Sequence, residues 1–246
     1  MRPAHGNPLL PFASGCRECI FIKREKRFRV LVDFGRPDGM VWVHTNNSGS
    51  MLGLAKPGVR ALVSPAAGLK RKLPYTLELI EHQGFWVGVN TLTPNRLIRA
   101  AHEQGLLPES AAYPGFRAEA KAGDSRLDVL MEGPAGRLWV ECKNVTMCEY
   151  GEAGFPDAVT VRGLKHLREL TNLVLAGDRA ALFFLVQRPD ASCFGPAEYI
   201  DPAYAEGLRT ALKAGVETWP YMAEVKAEGI GLGPRLPLSM RFWPPM

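Results

Sequence analysis

Through the first ninety residues, apolar and polar positions alternate in short runs, and glycine, proline and asparagine punctuate the breaks between them. IFIKREKRFRVLVDF at 20–34 reads as two strands, with the basic stretch Lys23 to Arg29 between and along them. Met40 to His44 follows the Asp38-Gly39 turn as a third strand, and Val59 to Ser64 follows Pro57-Gly58 as a fourth. Thr76 to Ile80 and Phe85 to Val89 make a further pair around His82-Gln83-Gly84. A strand sends successive side chains to opposite faces, so short runs at this spacing, with no helical period among them, predict a small β-barrel of the OB kind.

The texture changes at Asn90. Thr93-Pro94 opens a helix whose apolar stripe is Leu97, Ile98, Ala101 and Leu106. A second helix covers about 161–175, with Leu164, Leu167, Leu170 and Val174 on one face and Arg162, Lys165, His166 and Glu169 on the other. Ala180 to Gln187 is an apolar run that suits a central strand covered on both sides. Asp201-Pro202 caps a third helix running to Lys213, and Val216 to Val225 is a last strand. Helices and strands mixed in this way predict a second, α/β domain over 90–233 behind the barrel at 15–89. The Pro-rich ends, 1–14 and 234–246, are expected to be flexible tails.

Between the first two helices lie Phe116 to Lys121, a strand, and then SRLDVLMEGPAGRLWVECKNVTM at 125–147, a hairpin turned at Gly-Pro-Ala-Gly. Period two puts Glu141 and Lys143 on one face and buries Val140 and Cys142 on the other, with Asp128 on the partner strand. Two carboxylates close together repel unless a cation lies between them, and oxygen ligands suit Mg2+. A lysine beside such a metal can position a water, which is what phosphodiester hydrolysis needs. The same spacing also fits a solvated strand face with a Lys–Glu pair. Glu-x-Lys recurs at Glu119–Lys121 and Glu224–Lys226, but only Glu141 has an Asp on the adjacent hairpin strand.

Charge sharpens the reading of the front part. Residues 1–86 hold 13 Lys/Arg against 6 Asp/Glu, whereas the rest of the chain is slightly acidic. That asymmetry argues for a polyanion partner. Lys23, Arg24, Arg27, Lys70, Arg71 and Lys72 are the candidate phosphate contacts, and Phe28, Trp42, Tyr75 and Trp86 the candidate base-stacking residues, with core packing as the alternative for each aromatic. Asn95 and Arg96 at a helix start could bind phosphate or simply cap the helix. Five cysteines suggest no disulfide framework, and Cys16-x-x-Cys19 lacks the second pair a closed zinc site needs. No apolar run is long enough to cross a bilayer and no signal pattern opens the chain, so a cytoplasmic location with no membrane contact is expected.

With these segments laid out, the chain resembles the sugar fermentation stimulation protein A (SfsA) family from about Phe28 to Leu236. The resemblance is carried by NSGSM at 47–51, KRK at 70–72, VNTL at 89–92 with Asn95-Arg96, SRLD at 125–128, VECKNVT at 140–146 and, most specifically, FPDAVTVRGLKHLREL at 155–170. The chain departs at Asn46-Asn47-Ser48-Gly49, where the family tends to have Pro-Asn-Thr-Gly, and at Cys142, where Val is usual. The resemblance implies an OB-like domain followed by a restriction-endonuclease-like PD-(D/E)xK α/β domain, with Asp128 and Glu141 as the motif acids, Lys143 as its lysine and Glu119 as a third carboxylate for Mg2+ or Mn2+. It also implies non-specific DNA binding. The expected function is a DNA-binding protein with a metal-dependent nuclease site, to which Lys165 and His166 add contacts to a neighbouring phosphate. RNA is a further candidate partner. The alternatives are a catalytically silent DNA-binding regulator of sugar (maltose) metabolism and an OB-type sugar binder.

Overall fold

A computed structural model describes residues 8–66, 71–123 and 125–242. In chain order its elements are β1 (Leu10–Pro11), β2 (Arg17–Glu25), β3 (Arg29–Asp33), β4 (Met40–His44), β5 (Arg60–Pro65), β6 (Tyr75–His82) and β7 (Phe85–Gly88). There follow α1 (Thr93–Glu103), β8 (Gly115–Ala122), β9 (Ser125–Gly133), β10 (Gly136–Val145), β11 (Met147–Glu149), β12 (Glu152–Phe155), α2 (Val161–Leu175), β13 (Arg179–Val186), β14 (Cys193–Pro196), α3 (Pro202–Lys213), β15 (Glu217–Lys226) and β16 (Gly229–Arg235).

The front domain is an antiparallel meander in the order β4-β3-β2-β5-β6-β7, closed by a pairing of β4 with β6 at His44↔Thr76. Phe21, Val30, Val32, Val43, Val63, Leu77 and Ile80 fill it. These are the inward members of the alternating runs, except that a register shift against β5 lets Leu77 and Ile80, three apart on β6, both point inward, so the OB-like barrel follows largely from the period-two pattern. Leu62 and Leu79 belong instead to the core shared with α1, so the outer wall of β5 and β6 seals against the second domain.

The second domain is built on a seven-stranded sheet, β1-β16-β15-β13-β10-β9-β8, in which β10, β13 and β15 run parallel. Parallel strands need crossovers, and α2 and α3 provide them. Helix α1 covers one face through Leu97, Ile98 and Ala101. Helices α2 and α3 cover the other through Leu167, Leu170, Tyr204, Leu208 and Ala211. The two faces of β10 are therefore both buried, and Glu141 lies as deep as its apolar neighbours, at 3% exposure. The alternative of a solvated Lys–Glu face on the hairpin therefore does not hold: α2 roofs it.

The ends also depart from expectation. Leu10–Pro11 adds an edge strand to β16, and Leu236, Ser239 and Phe242 are buried. Both Pro-rich segments thus pack where they are described: Pro11 lies on a sheet edge, where proline is tolerated, and Leu236 and Phe242 join the core under α2 and α3. Residues 1–7 and 243–246 lie outside the described residues. The alternation does not reveal the small sheet β11-β12-β14, whose strands are three or four residues long. No helix among the described residues is long and apolar enough to cross a membrane.

Candidate active site at the fork of the central sheet

The sheet splits where the acids stand. The β9–β10 ladder runs from Gly133↔Gly136 to Val129↔Val140. Beyond it, β9 stays paired with β8 as far as Ser125↔Ala122, and β10 with β13 as far as Val145↔Val186. Asp128 and Glu141 are the first residues past the split, one on each arm.

Strict alternation breaks at Asp128. Leu127 and Leu130 both enter the core under α2 and α3, whereas Val129 and Met131 enter the core under α1. The register of β8 and β9 places Glu119 opposite this switch, and Glu119 has a left-handed backbone, φ 53°. A non-glycine residue in that region is uncommon. Asp128 Oδ2 accepts the Cys142 N–H at 2.8 Å across the fork. Burial and the neighbouring Glu141 charge raise the Asp128 pKa, against the lowering by the Cys142 N–H, Lys143 and Asn95.

Glu141 is the better-held acid. Its Oε1 accepts from Lys143 Nζ at 2.6 Å and from His166 Nδ1 of α2. Burial pushes its pKa up, but Lys143 and His166 outweigh that and hold it at about 2. Glu141 Oε2 is buried and has no hydrogen-bond partner. An unpaired buried carboxylate oxygen is costly, and a cation is its natural complement. Asp128 and Glu141 therefore fit a divalent cation at the fork, with Oε2 as the free ligand. Among the described residues no group of three or more His, Cys, Asp or Glu side chains is placed to hold one, so the protein would supply two carboxylates and leave the other positions to water and substrate.

Two candidates need correction. Glu119 is exposed on the β8 arm and does not join the acids as a third ligand, because the left-handed turn of its backbone takes it out of the strand pattern. His166 is not a surface phosphate contact. It is 4% exposed, and it faces Glu141 because α2 lies directly over β10. Lys165, its neighbour in sequence, is exposed.

The basic residues of the barrel divide. Arg24 is spent internally, donating to the carbonyls of Asn47 and Gly49 and to that of Arg27. Arg71 donates to Thr76 Oγ1 at 2.9 Å, and Lys23 pairs with Glu25 at 2.7 Å. Arg27, Lys72 and Arg96 are exposed, and Lys70 lies outside the described residues. Among the aromatics, Tyr75 packs on Phe34 and Trp86 lies under Arg60, while Phe28 is exposed and stacks on His44, 6.2 Å between ring centres and 19° between planes. Arg29 lies 4.4 Å from the Trp42 ring centre.

Sequence reading missed several polar residues that tie the barrel to the fork. Met51 N–H donates to Asp157 Oδ2 at 3.0 Å and Ser50 Oγ to the Asp157 carbonyl at 2.8 Å. Asn46 reaches Asn90, whose carbonyl accepts from the buried Gln187, and Gln187 also bonds Asn144 beside Lys143. Tyr204 of α3 is missed too. Its hydroxyl is buried without a partner, and burial, with Glu141 and Asp201 nearby, raises its pKa. The segments at 47–51, 89–92, 140–146 and 155–170, which carry the family resemblance, contain Ser50, Met51, Asn90, Asn144 and Asp157, but spacing gave these residues no role. Gly49 tests the barrel–fork contact, since a Cβ there would stand 2.5 Å from Asp157 Oδ1. Gly49→Ala is expected to destabilise the protein by about 1–3 kcal/mol, read by urea unfolding.

Two family models match the chain: the SfsA N-terminal OB domain over residues 22–89 and the sugar fermentation stimulation protein RE domain over 92–229. A sugar fermentation stimulation protein homolog of Syntrophobacter fumaroxidans is 55% identical over 95% of this chain and 90% of its own length. Another, of Maridesulfovibrio salexigens, is 52% identical over 94% and 98%. Among solved structures, that of Pyrococcus furiosus SfsA in complex with Ca2+ matches with a TM-score of 0.88 and 31% identity, covering 95% of this chain and all of the other.

Proposed function

We propose that the chain, which belongs to the sugar fermentation stimulation protein family, is a nucleic-acid-binding protein with a divalent-metal-dependent phosphodiesterase site at Asp128, Glu141 and Lys143. The observation that carries this reading is the free, buried Oε2 of Glu141 beside a second acid that burial and like charge make reluctant to ionise. Such a pair costs stability unless a cation completes it. The Ca2+ complex of the Pyrococcus furiosus protein supports a divalent ion in this fold. Mg2+ or Mn2+ is the functional candidate, supplying charge that offsets the developing negative charge on a phosphoryl group.

The chain's own residues divide the remaining work. Asp128 and Glu141 hold the ion. His166 and the backbone N–H of Cys142 fix the two carboxylates. Lys143, 12% exposed and held on Glu141, is the ammonium at hand to orient a water and to stabilise phosphoryl charge. The Phe28–His44 stack and the Arg29–Trp42 pair on the barrel suit unpaired bases and phosphates.

DNA is the proposed partner and RNA an alternative substrate. Affinity is expected to fall by about a thousandfold between roughly 50 and 200 mM salt if six phosphates are contacted, measured by fluorescence anisotropy. A flat salt response would remove the phosphate-driven mode. Cleavage is tested by incubating DNA and RNA with the protein and Mn2+ or Mg2+, with EDTA as the control. Because Lys143 is tied to Glu141, a second reading is a silent DNA-binding regulator, for which binding without metal-dependent cleavage is the expected result.

A further inference from the structure

A cavity of about 330 Å³ opens on the small sheet β11-β12-β14 and shares no residue with the fork. One wall is the two-residue hairpin that joins β11 to β12. Glu149 and Glu152 close this hairpin directly opposite each other, and both line the cavity. Like charges facing across a ladder destabilise it. The Tyr199 hydroxyl donates to Glu149 Oε2 at 2.9 Å, and Ser239 Oγ donates to Glu152 Oε2 at 2.7 Å. Both donors are neutral, and among the described residues no cation forms an ion pair with either acid. The turn itself is Tyr150-Gly151, with φ 51° and 80°. Two positive φ values favour Asn-Gly at such a turn. The chain has a tyrosine there, fully exposed, and the largely exposed Tyr199 lines the same cavity. Arg241 completes the charged lining, exposed and with no ion pair among the described residues.

A metal ion does not suit this lining. A hard cation takes several converging oxygens, and no group of three or more His, Cys, Asp or Glu side chains among the described residues is placed to hold one. Tyrosine rings attract an organic ammonium or guanidinium. The lining carries two negative charges and one positive, so its complement has two cationic groups and one anionic group. From this cavity we infer a binding site for a free basic amino acid, lysine or arginine. Each acid takes one cationic group, Arg241 takes the carboxylate, and the aliphatic stem lies along the tyrosine rings. Ligand pockets begin at about 300 Å³, so the volume fits. The site is independent of the nucleic-acid reading. The facing glutamates are then an arrangement that costs stability in the free protein and is neutralised by the ligand.

The test is calorimetric titration of L-lysine and L-arginine into the full chain, with EDTA present to keep the fork free of metal. Glu149→Gln with Glu152→Gln is expected to weaken lysine binding about tenfold or more, and Tyr150→Ala about threefold or more. Arg241→Ala is expected to weaken lysine about tenfold while leaving cadaverine, which is lysine without its carboxylate, unchanged. Because the first variant removes facing like charges, its Tm without ligand is expected to equal or exceed that of the unsubstituted protein, which separates lost binding from lost folding. Binding of neither amino acid at millimolar concentration would overturn the inference. So would equal lysine affinity in the double glutamine variant, or cadaverine or norleucine binding as tightly as lysine. Nα-acetyl-lysine, which stands in for the end of a peptide, is expected to bind about tenfold more weakly than lysine. Equal binding of the two would overturn the free amino acid in favour of a C-terminal lysine.

Discussion

Asp128→Asn and Lys143→Ala are each expected to lower metal-dependent cleavage by on the order of a hundredfold to a thousandfold or more, the usual loss when one preorganised charged group at a reacting phosphoryl or acyl centre is removed. The two variants should part company in stability. Ionised Asp128 is disfavoured in the folded chain, because burial and Glu141 raise its pKa. An acid whose folded pKa is raised contributes less stability once pH rises through that pKa, so at neutral pH its charge is a cost. Asparagine removes the charge and keeps an acceptor for the Cys142 N–H. Asp128→Asn should therefore be inactive yet melt at the same or a higher temperature without metal, by differential scanning calorimetry. Lys143→Ala removes a donor from a buried carboxylate and should melt lower. Cleavage that survives both substitutions would point to a contaminant or to a different site.

Replacing His166 by alanine is expected to weaken Mn2+ binding by about 10–100-fold, the range found when a residue that orients a metal ligand is lost. The reason is geometric. Glu141 Oε1 is occupied by two donors while Oε2 is free, so the donors decide which oxygen faces the fork. His166→Asn keeps an N–H close to the position of Nδ1 and should recover much of the affinity. Mn2+ binding followed by electron paramagnetic resonance reads this directly, without reference to cleavage. Equal affinity in the alanine variant would mean that Lys143 alone sets the carboxylate. Arg162 sits beyond the imidazole, its Nε 3.4 Å from His166 Nε2.

The period-two runs of the front domain were enough to read a barrel, because inward positions such as Val30, Val32 and Leu77 are buried while the residues between Val30 and Val32 and beside them, Arg29, Leu31 and Asp33, are only half-buried. The helical stripes of Leu97, Ile98 and Ala101, and of Leu167 and Leu170, were equally legible. On the hairpin, alternation left two readings open for Glu141 and Lys143, a cation pocket and a solvated face with a Lys–Glu pair. Periodicity reports which residues share a side of an element. It carries no information on whether another element covers that side, and α2 covers this one.

The sequence by itself determined the two-domain order, the inward faces of the barrel and helices, and the candidacy of Asp128, Glu141 and Lys143 through local spacing. Only the tertiary structure decided that the sheet forks between the two acids, that His166 faces Glu141 and not solvent, that Glu119 stays outside and that Arg24 is consumed by the 47–49 loop. The physical reason is range. Backbone geometry fixes the relation of residues two to four apart, whereas the Glu141–His166 and Met51–Asp157 contacts span 25 and 106 residues and exist only because buried apolar faces bring their elements together.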